Sequence, residues 1–187
     1  MEISKKFYAA TRAEWRAWLA DHYQSEDEIW LVYYKKESGK HRIPYADAVK
    51  EALCFGWVDS NLKTIDDESF AQKFSPRKAG STYSQPNKER LKLLLAEGLV
   101  IESVCEGLGD VDPEAYIFPE DIMDVLKANQ QAWANFQQYS PPYQRIRIAF
   151  IDTARKRPDE FEKRLNNFLK MTAQNKQFGI GIEEFFV

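Results

Sequence analysis

The stretch Glu28-Ile29-Trp30-Leu31-Val32-Tyr33-Tyr34-Lys35-Lys36 decides the fold class. Its centre is an unbroken β-branched and aromatic run of strand length, closed by charges at both ends, and this pattern predicts a strand buried on both faces. Two shorter extended segments follow, Trp57–Ile65 and Ser69–Ser75, joined by the polar Asp66-Asp67-Glu68 connection, and they read as a β-hairpin. Helical signals surround these strands. Thr11 with Glu14 three positions later is a capping box opening a helix over about 12–22, in which Ala13, Trp15, Trp18 and Leu19 form an apolar face. Pro44 opens a second helix, lined by Ala48, Val49, Ala52 and Leu53 and stopped at Gly56. The expectation is an α+β fold: a small, mainly antiparallel sheet covered by helices.

Residues 76–86 are rich in Ser, Gly, Lys and Pro and read as an exposed loop. A helix then runs to about Glu97 with Leu91, Leu94 and Leu95 inward, and a short helix is expected within 99–110. Gly107, Gly109, Asp110, Asp112 and Pro113 cluster in seven positions and mark a linker. Everything after it is helical. Pro119 starts one helix, residues 133–138 a short one, and Ser140-Pro141 caps another whose Ile146, Ala149, Phe150 and Thr153 share a face. Pro158-Asp159-Glu160 starts the last, with Phe161, Leu165, Phe168 and Leu169 on one side. The expected organisation is an α+β domain over 1–110, a linker at 111–117, a helical domain over 118–179 and a tail at 180–187.

The chain has 187 residues, 44% of them apolar and 14% aromatic, so it is long enough for a sizeable core and too aromatic for disorder. A net charge of −3 argues against a globally basic nucleic-acid binder. The charge is unevenly placed. Residues 72–92 carry a net +5, 97–124 a net −9, and 145–170 a net +4. The N-terminus lacks the apolar core of a secretory signal and no run reaches the roughly 18 apolar residues of a spanning helix, which implies a cytoplasmic protein without membrane insertion. Cys54 and Cys105 are too few for a disulfide framework or zinc site and read as free thiols, both packed as small buried hydrophobes.

The segments Glu51-Ala-Leu-Cys-Phe-Gly-Trp-Val-Asp59, Phe74-Ser-Pro-Arg77 and Ser81-Thr-Tyr-Ser84 with Asn87 resemble the signature of the YdeI/OmpD-associated, bacteriocin-protection family. Pro119, Phe136, Ser140, Arg145, Ile151, Ala154 and Arg164 resemble that family's C-terminal helical OmdA-type domain. Ser60 and Tyr83 stand where relatives usually carry Gly and Trp. The resemblance implies a stress-resistance role and an N-terminal fold of YjbR-like or frataxin-like type, but no reaction.

The signature segments also supply the candidate ligand-binding residues. Asp59 and Arg77 fall near the ends of the hairpin strands, and with Lys78, Ser81, Tyr83, Ser84 and Asn87 they form a donor-rich rim suited to a small anion. The competing reading is a buried Asp59–Arg77 pair pinning the loop, with Ser84 or Asn87 as a helix cap. Catalytic residues do not stand out. His22 reads as a helix-end dipole partner, His41 as a solvated turn, and no GxGxxG, P-loop or HExxH spacing occurs, so neither a cofactor nor a metal is called for. Three functions stay open: a non-catalytic protein binding a small anionic ligand or a protein partner, a nucleic-acid module using 72–92, and an enzyme acting on a phosphorylated or carboxylated metabolite.

Overall fold

The computed structural model describes residues 3–78 and 80–186. Ala79, inside the loop expected at 76–86, and the chain ends lie outside the described residues. In chain order the elements are β1 (Lys6–Tyr8), α1 (Arg12–His22), β2 (Ile29–Tyr34), α2 (Tyr45–Cys54), β3 (Trp57–Thr64), β4 (Ser69–Pro76), α3 (Gln85–Ala96), α4 (Glu102–Cys105), α5 (Glu120–Ala128), α6 (Gln130–Phe136), α7 (Pro141–Asp152) and α8 (Pro158–Ala173). The chain is α+β, with its helices concentrated toward the C-terminus.

Contacts divide the chain into two compact units, Met1–Thr82 with Leu93–Asp110, and Tyr83–Lys92 with Val111–Val187. The first unit holds one four-stranded sheet of order β1-β2-β4-β3. The hairpin β3/β4 pairs antiparallel as its sequence implies, and β4 also pairs antiparallel with β2, Ile29 facing Phe74 and Tyr34 facing Ser69. β1 escapes the sequence reading because it is three residues long and begins within Lys5-Lys6; it adds parallel to β2, with Phe7 opposite Leu31. All of Ile29–Tyr33 is buried, as its unbroken apolar run requires.

The capping box of α1 forms in full: Thr11 Oγ1 accepts from the Glu14 N–H at 3.2 Å, and Glu14 Oε2 accepts from the Thr11 N–H at 3.2 Å. α1 lays Trp15 on the sheet, where the ring meets Phe74 at 5.3 Å and Trp18 at 5.3 Å. Glu51 of α2 is buried and receives Arg12 and, at 2.6 Å, Arg16, so the inner end of α2 is tied to α1 by ionic bonds as well as packing. Gly56 turns α2 into β3 with φ +70°, and a Cβ there would sit 3.1 Å from Val104. Cys54 is buried, and burial pushes its thiol pKa up, which keeps it inert. Cys105 is exposed, a correction to its reading as a buried hydrophobe: α4 is a single turn with no buried residue.

The second unit is built on Phe136, Tyr143, Ile148, Ile151 and Phe168. Local signals again set the helix starts. Asn129 Oδ1 caps α6 through the Ala132 N–H at 3.0 Å, and Ser140 Oγ caps α7 through the Tyr143 N–H at 3.2 Å. Residues 180–186, read along the sequence as tail, instead bring Ile182 and Phe185 into this core. Three anchors hold that C-terminal strap: the Tyr143 hydroxyl exchanges hydrogen bonds with the Phe178 N–H (2.9 Å) and C=O (3.2 Å), buried Arg90 donates to the Gly181 carbonyl, and Ser140 Oγ donates to the Phe185 carbonyl at 2.5 Å.

Candidate functional site

The face of α7 formed by Ile146, Ala149, Phe150 and Thr153 repeats at i, i+3, i+4 and i+7, and it walls a groove of about 670 Å³ within the second unit. The facing wall comes from α8, where Glu160, Lys163, Arg164 and Asn167 repeat with the same spacing. Phe178–Ile180 and Ile182 of the strap and Ser84–Pro86 at the start of α3 complete the lining. One wall is thus apolar and the other polar, and the volume is that of a small-molecule site.

Arg147 also lines this groove, yet its side chain is among the most enclosed of any charged group in the protein, at 6% exposure. Its guanidinium lies 4.0 Å from the ring centre of Phe178, 5.1 Å from Phe150 and 5.7 Å from Phe168. Nε is buried without a hydrogen-bond partner, and no carboxylate pairs with Arg147 among the described residues. Burial pushes its pKa below the ordinary arginine value, the direction expected of a cation short of counter-charge. Gly179 matters here. With φ +140°, it brings the strap so close that a Cβ would stand 2.5 Å from Ile182 Cδ1 and 3.4 Å from Arg147 Nη1.

The other two arginines of this region are committed. Arg164 donates to Glu160 at 2.7 Å, to the Phe150 carbonyl at 2.7 Å and to Thr153 Oγ1 at 3.3 Å, and lies 3.8 Å over the Phe150 ring. That hydrogen bond holds the Glu160 carboxyl below its usual range. Arg145 forks onto buried Glu89 at 2.7 and 2.9 Å, and the same bonds push its pKa up.

The residues singled out from the sequence fall in both units. Asp59 lies in β3, where its Oδ2 accepts from the Tyr45 hydroxyl at 2.8 Å and, at 3.5 Å, from Gln72. Arg77 follows β4 and gives its N–H to the Gly56 carbonyl at 2.9 Å. Lys78 is exposed and its carbonyl accepts from Ser81 Oγ at 2.7 Å, closing a turn. Tyr83 is half-buried, and Asn87 Oδ1 accepts from Arg90 at 3.1 Å. Asp59, Arg77, Lys78 and Ser81 group with the first unit, and Tyr83, Ser84 and Asn87 with the second. Of the seven, Ser84 lines the groove.

Comparison with known families divides the chain in a similar way. Residues 7–106, more than half its length, match the family described as a domain of unknown function (DUF8412). Residues 115–175 match the family described as bacteriocin-protection, YdeI or OmpD-associated (OmdA). The chain is a DUF8412 family member with a C-terminal OmdA domain. The segments around Cys54, Arg77 and Ser84 that resemble the YdeI/OmpD signature therefore fall in the DUF8412 match, whereas the OmdA match covers α5 to α8. Both helical walls of the groove and Arg147 belong to the OmdA match; the strap residues Phe178–Ile182 lie just beyond it. Searches of curated proteins and of solved structures return no match.

Arg147, Phe178 and Gly179 were not legible as site residues. Arg147 sits two positions from Arg145 in the string Arg145-Ile146-Arg147, and nothing local distinguishes the arginine with an acid partner from the one without. The signal that does exist is the apolar stripe from Ile146 to Thr153, half of which, Phe150 and Thr153, is exposed on the groove rather than sealed in the core.

Proposed function

We propose that this protein is a non-catalytic binding protein for an organic anion, which its OmdA domain holds in the α7/α8 groove against Arg147. One observation carries the reading: Arg147, a residue only 6% exposed that lines a cavity of about 670 Å³, has a buried, unpartnered Nε and no carboxylate partner among the described residues. Burying a cation without a partner costs several kcal/mol, and stacking on an aromatic face returns about 2 kcal/mol or somewhat more of it. A bound anion supplies the missing charge. The start of α3 at Ser84–Pro86 adds the positive end of a helix dipole to the same lining. In this reading the protein works in the cytoplasm, and bacteriocin protection is the setting in which the ligand is met.

The basic stretch 72–92 supports this reading over a nucleic-acid module. Lys73 pairs with Glu28, Arg90 with Glu184 at 3.0 Å and Lys92 with Glu114 at 2.5 Å, so half of its six cations already hold acids.

The test is Arg147→Met, with thermal shift and calorimetry read in butyrate, octanoate, benzoate and phenyl phosphate. Replacing an unpaired buried charge by an apolar chain of similar length is expected to leave the melting temperature unchanged or raise it. The wild type should gain about 2.7 kcal/mol from a ligand at 100 times its Kd, and the variant should gain nothing. If Arg147→Met is less stable than the wild type by more than about 2 kcal/mol, the guanidinium is a packing element worth that cation–π contact and the reading falls. It falls equally if none of the four anions shifts the wild type.

A further inference from the structure

We propose that the anion is a monocarboxylate with an extended apolar body, its carboxylate against Arg147 and its body along the α7 wall toward Phe150 and Ile180. This rests on the anion-binding reading above and adds the ligand's charge and shape.

The charge follows from the inventory of the groove. Among the described residues Arg147 is a buried cation with no carboxylate partner, whereas Arg164 already holds Glu160, the Phe150 carbonyl and Thr153 through Nε and Nη1. A single negative charge balances it. A phosphate monoester brings close to two, and the second would be desolvated beside Glu160, an acid that Arg164 keeps ionised. Asp159 and Glu160 already occupy the first turn of α8, so that helix end offers no room for more negative charge. Lys163 on the rim is exposed to solvent, where it steers an anion more than it neutralises one.

The shape follows from the walls. From Ile146 to Thr153 the α7 face rises over seven residues, about 10 Å. At the opening Phe150 is 44% exposed, and Ile180, carried between Gly179 and Gly181, is 94% exposed. An isolated apolar side chain on a surface needs no explanation, but two that flank the same groove leading to a buried cation make an apolar track with a charged end. A hydrated ion as small as acetate would leave that track wet. A carboxylate with a longer body dries it.

Calorimetric titration of the whole chain with butyrate, hexanoate, octanoate and octyl phosphate tests the inference. For the wild type, Kd is expected to fall about two- to fourfold with each added methylene. Ile180→Ser, at a site too exposed to disturb folding, should flatten that dependence, and Arg147→Met should abolish binding of all the carboxylates. A Kd independent of chain length, or an octyl phosphate that binds more than about tenfold tighter than octanoate, overturns the monocarboxylate proposal while leaving anion binding intact. Failure of every anion to bind, or octanoate binding to Arg147→Met as it does to the wild type, overturns both.

Discussion

Glu89→Ala is expected to lower the stability of the second unit by about 3–5 kcal/mol, the loss typical of breaking one side of a buried ion pair. Glu89 is 3% exposed and takes Arg145 Nε at 2.7 Å and Nη2 at 2.9 Å, the parallel fork that guanidinium and carboxylate favour. Its Oε1 also accepts from Gln85 Nε2 at 2.9 Å, and Gln85 in turn donates to the Pro113 carbonyl at 2.8 Å. Alanine would leave the Arg145 guanidinium, itself mostly buried, without its acid, and would release the start of α3 from α7. Urea denaturation followed by hydrogen exchange at α7 and α8 amides measures the loss in this unit rather than in the other. The double variant Glu89→Met/Arg145→Met should recover most of it, because an apolar pair of similar volume is tolerated where half an ion pair is not. A loss below about 1 kcal/mol for Glu89→Ala would mean that water reaches Arg145 as soon as the acid is gone, and the site is not the dry anchor described.

The contrast between Arg145 and Arg147 marks the boundary of what could be read in advance. Rules that act within a few residues were legible: the Thr11 box, the Ser140-Pro141 cap, the start at Pro158 and the apolar run Ile29–Tyr34 all placed the starts of their elements within a residue or two of those observed. Partnerships across the chain were not. Glu89 lies 56 residues from Arg145, and no periodicity connects them. The hairpin shows the same limit at shorter range. β3 and β4 were recognisable, but the register places Trp57 opposite Pro76 and Asp59 opposite Phe74, so Arg77 is three residues, about 10 Å, beyond the partner of Asp59. The strand is irregular between Asp59 and Leu62, and Asp59 accepts from Tyr45 and Gln72 there. The pairing of the two strands was legible from composition; their register was not. The strap is the third case. Phe178-Gly179-Ile180-Gly181 looks like a fraying terminus by composition, and its hydrogen-bond anchors are the hydroxyls of Tyr143 and Ser140 and the guanidinium of Arg90, all distant in sequence.

Trp15→Ala is the second large effect, an expected loss of about 3–5 kcal/mol in the first unit. The ring is fully buried, and its Nε1 donates to the Ala48 carbonyl at 3.0 Å. It is also the centre of an aromatic layer: Trp18 stacks on it at 5.3 Å with an 11° tilt, Phe74 reaches it from β4 and Phe7 from β1, while Trp18 continues to His22 and edge-on to Trp57. Truncation removes the ring contacts of α1 with Phe74 and Phe7 of the sheet and leaves a carbonyl of α2 without its extra donor. The two losses should separate. Trp15→Phe keeps much of the ring packing but not the Nε1 hydrogen bond, so it should cost the smaller share, about 1–2 kcal/mol. Urea midpoints with near-ultraviolet circular dichroism as the probe distinguish the cases, because the stacked indoles dominate that signal. If Trp18→Ala proves more damaging than Trp15→Ala, the layer is held from its half-exposed side, and the sheet does not depend on Trp15 for its attachment to α1.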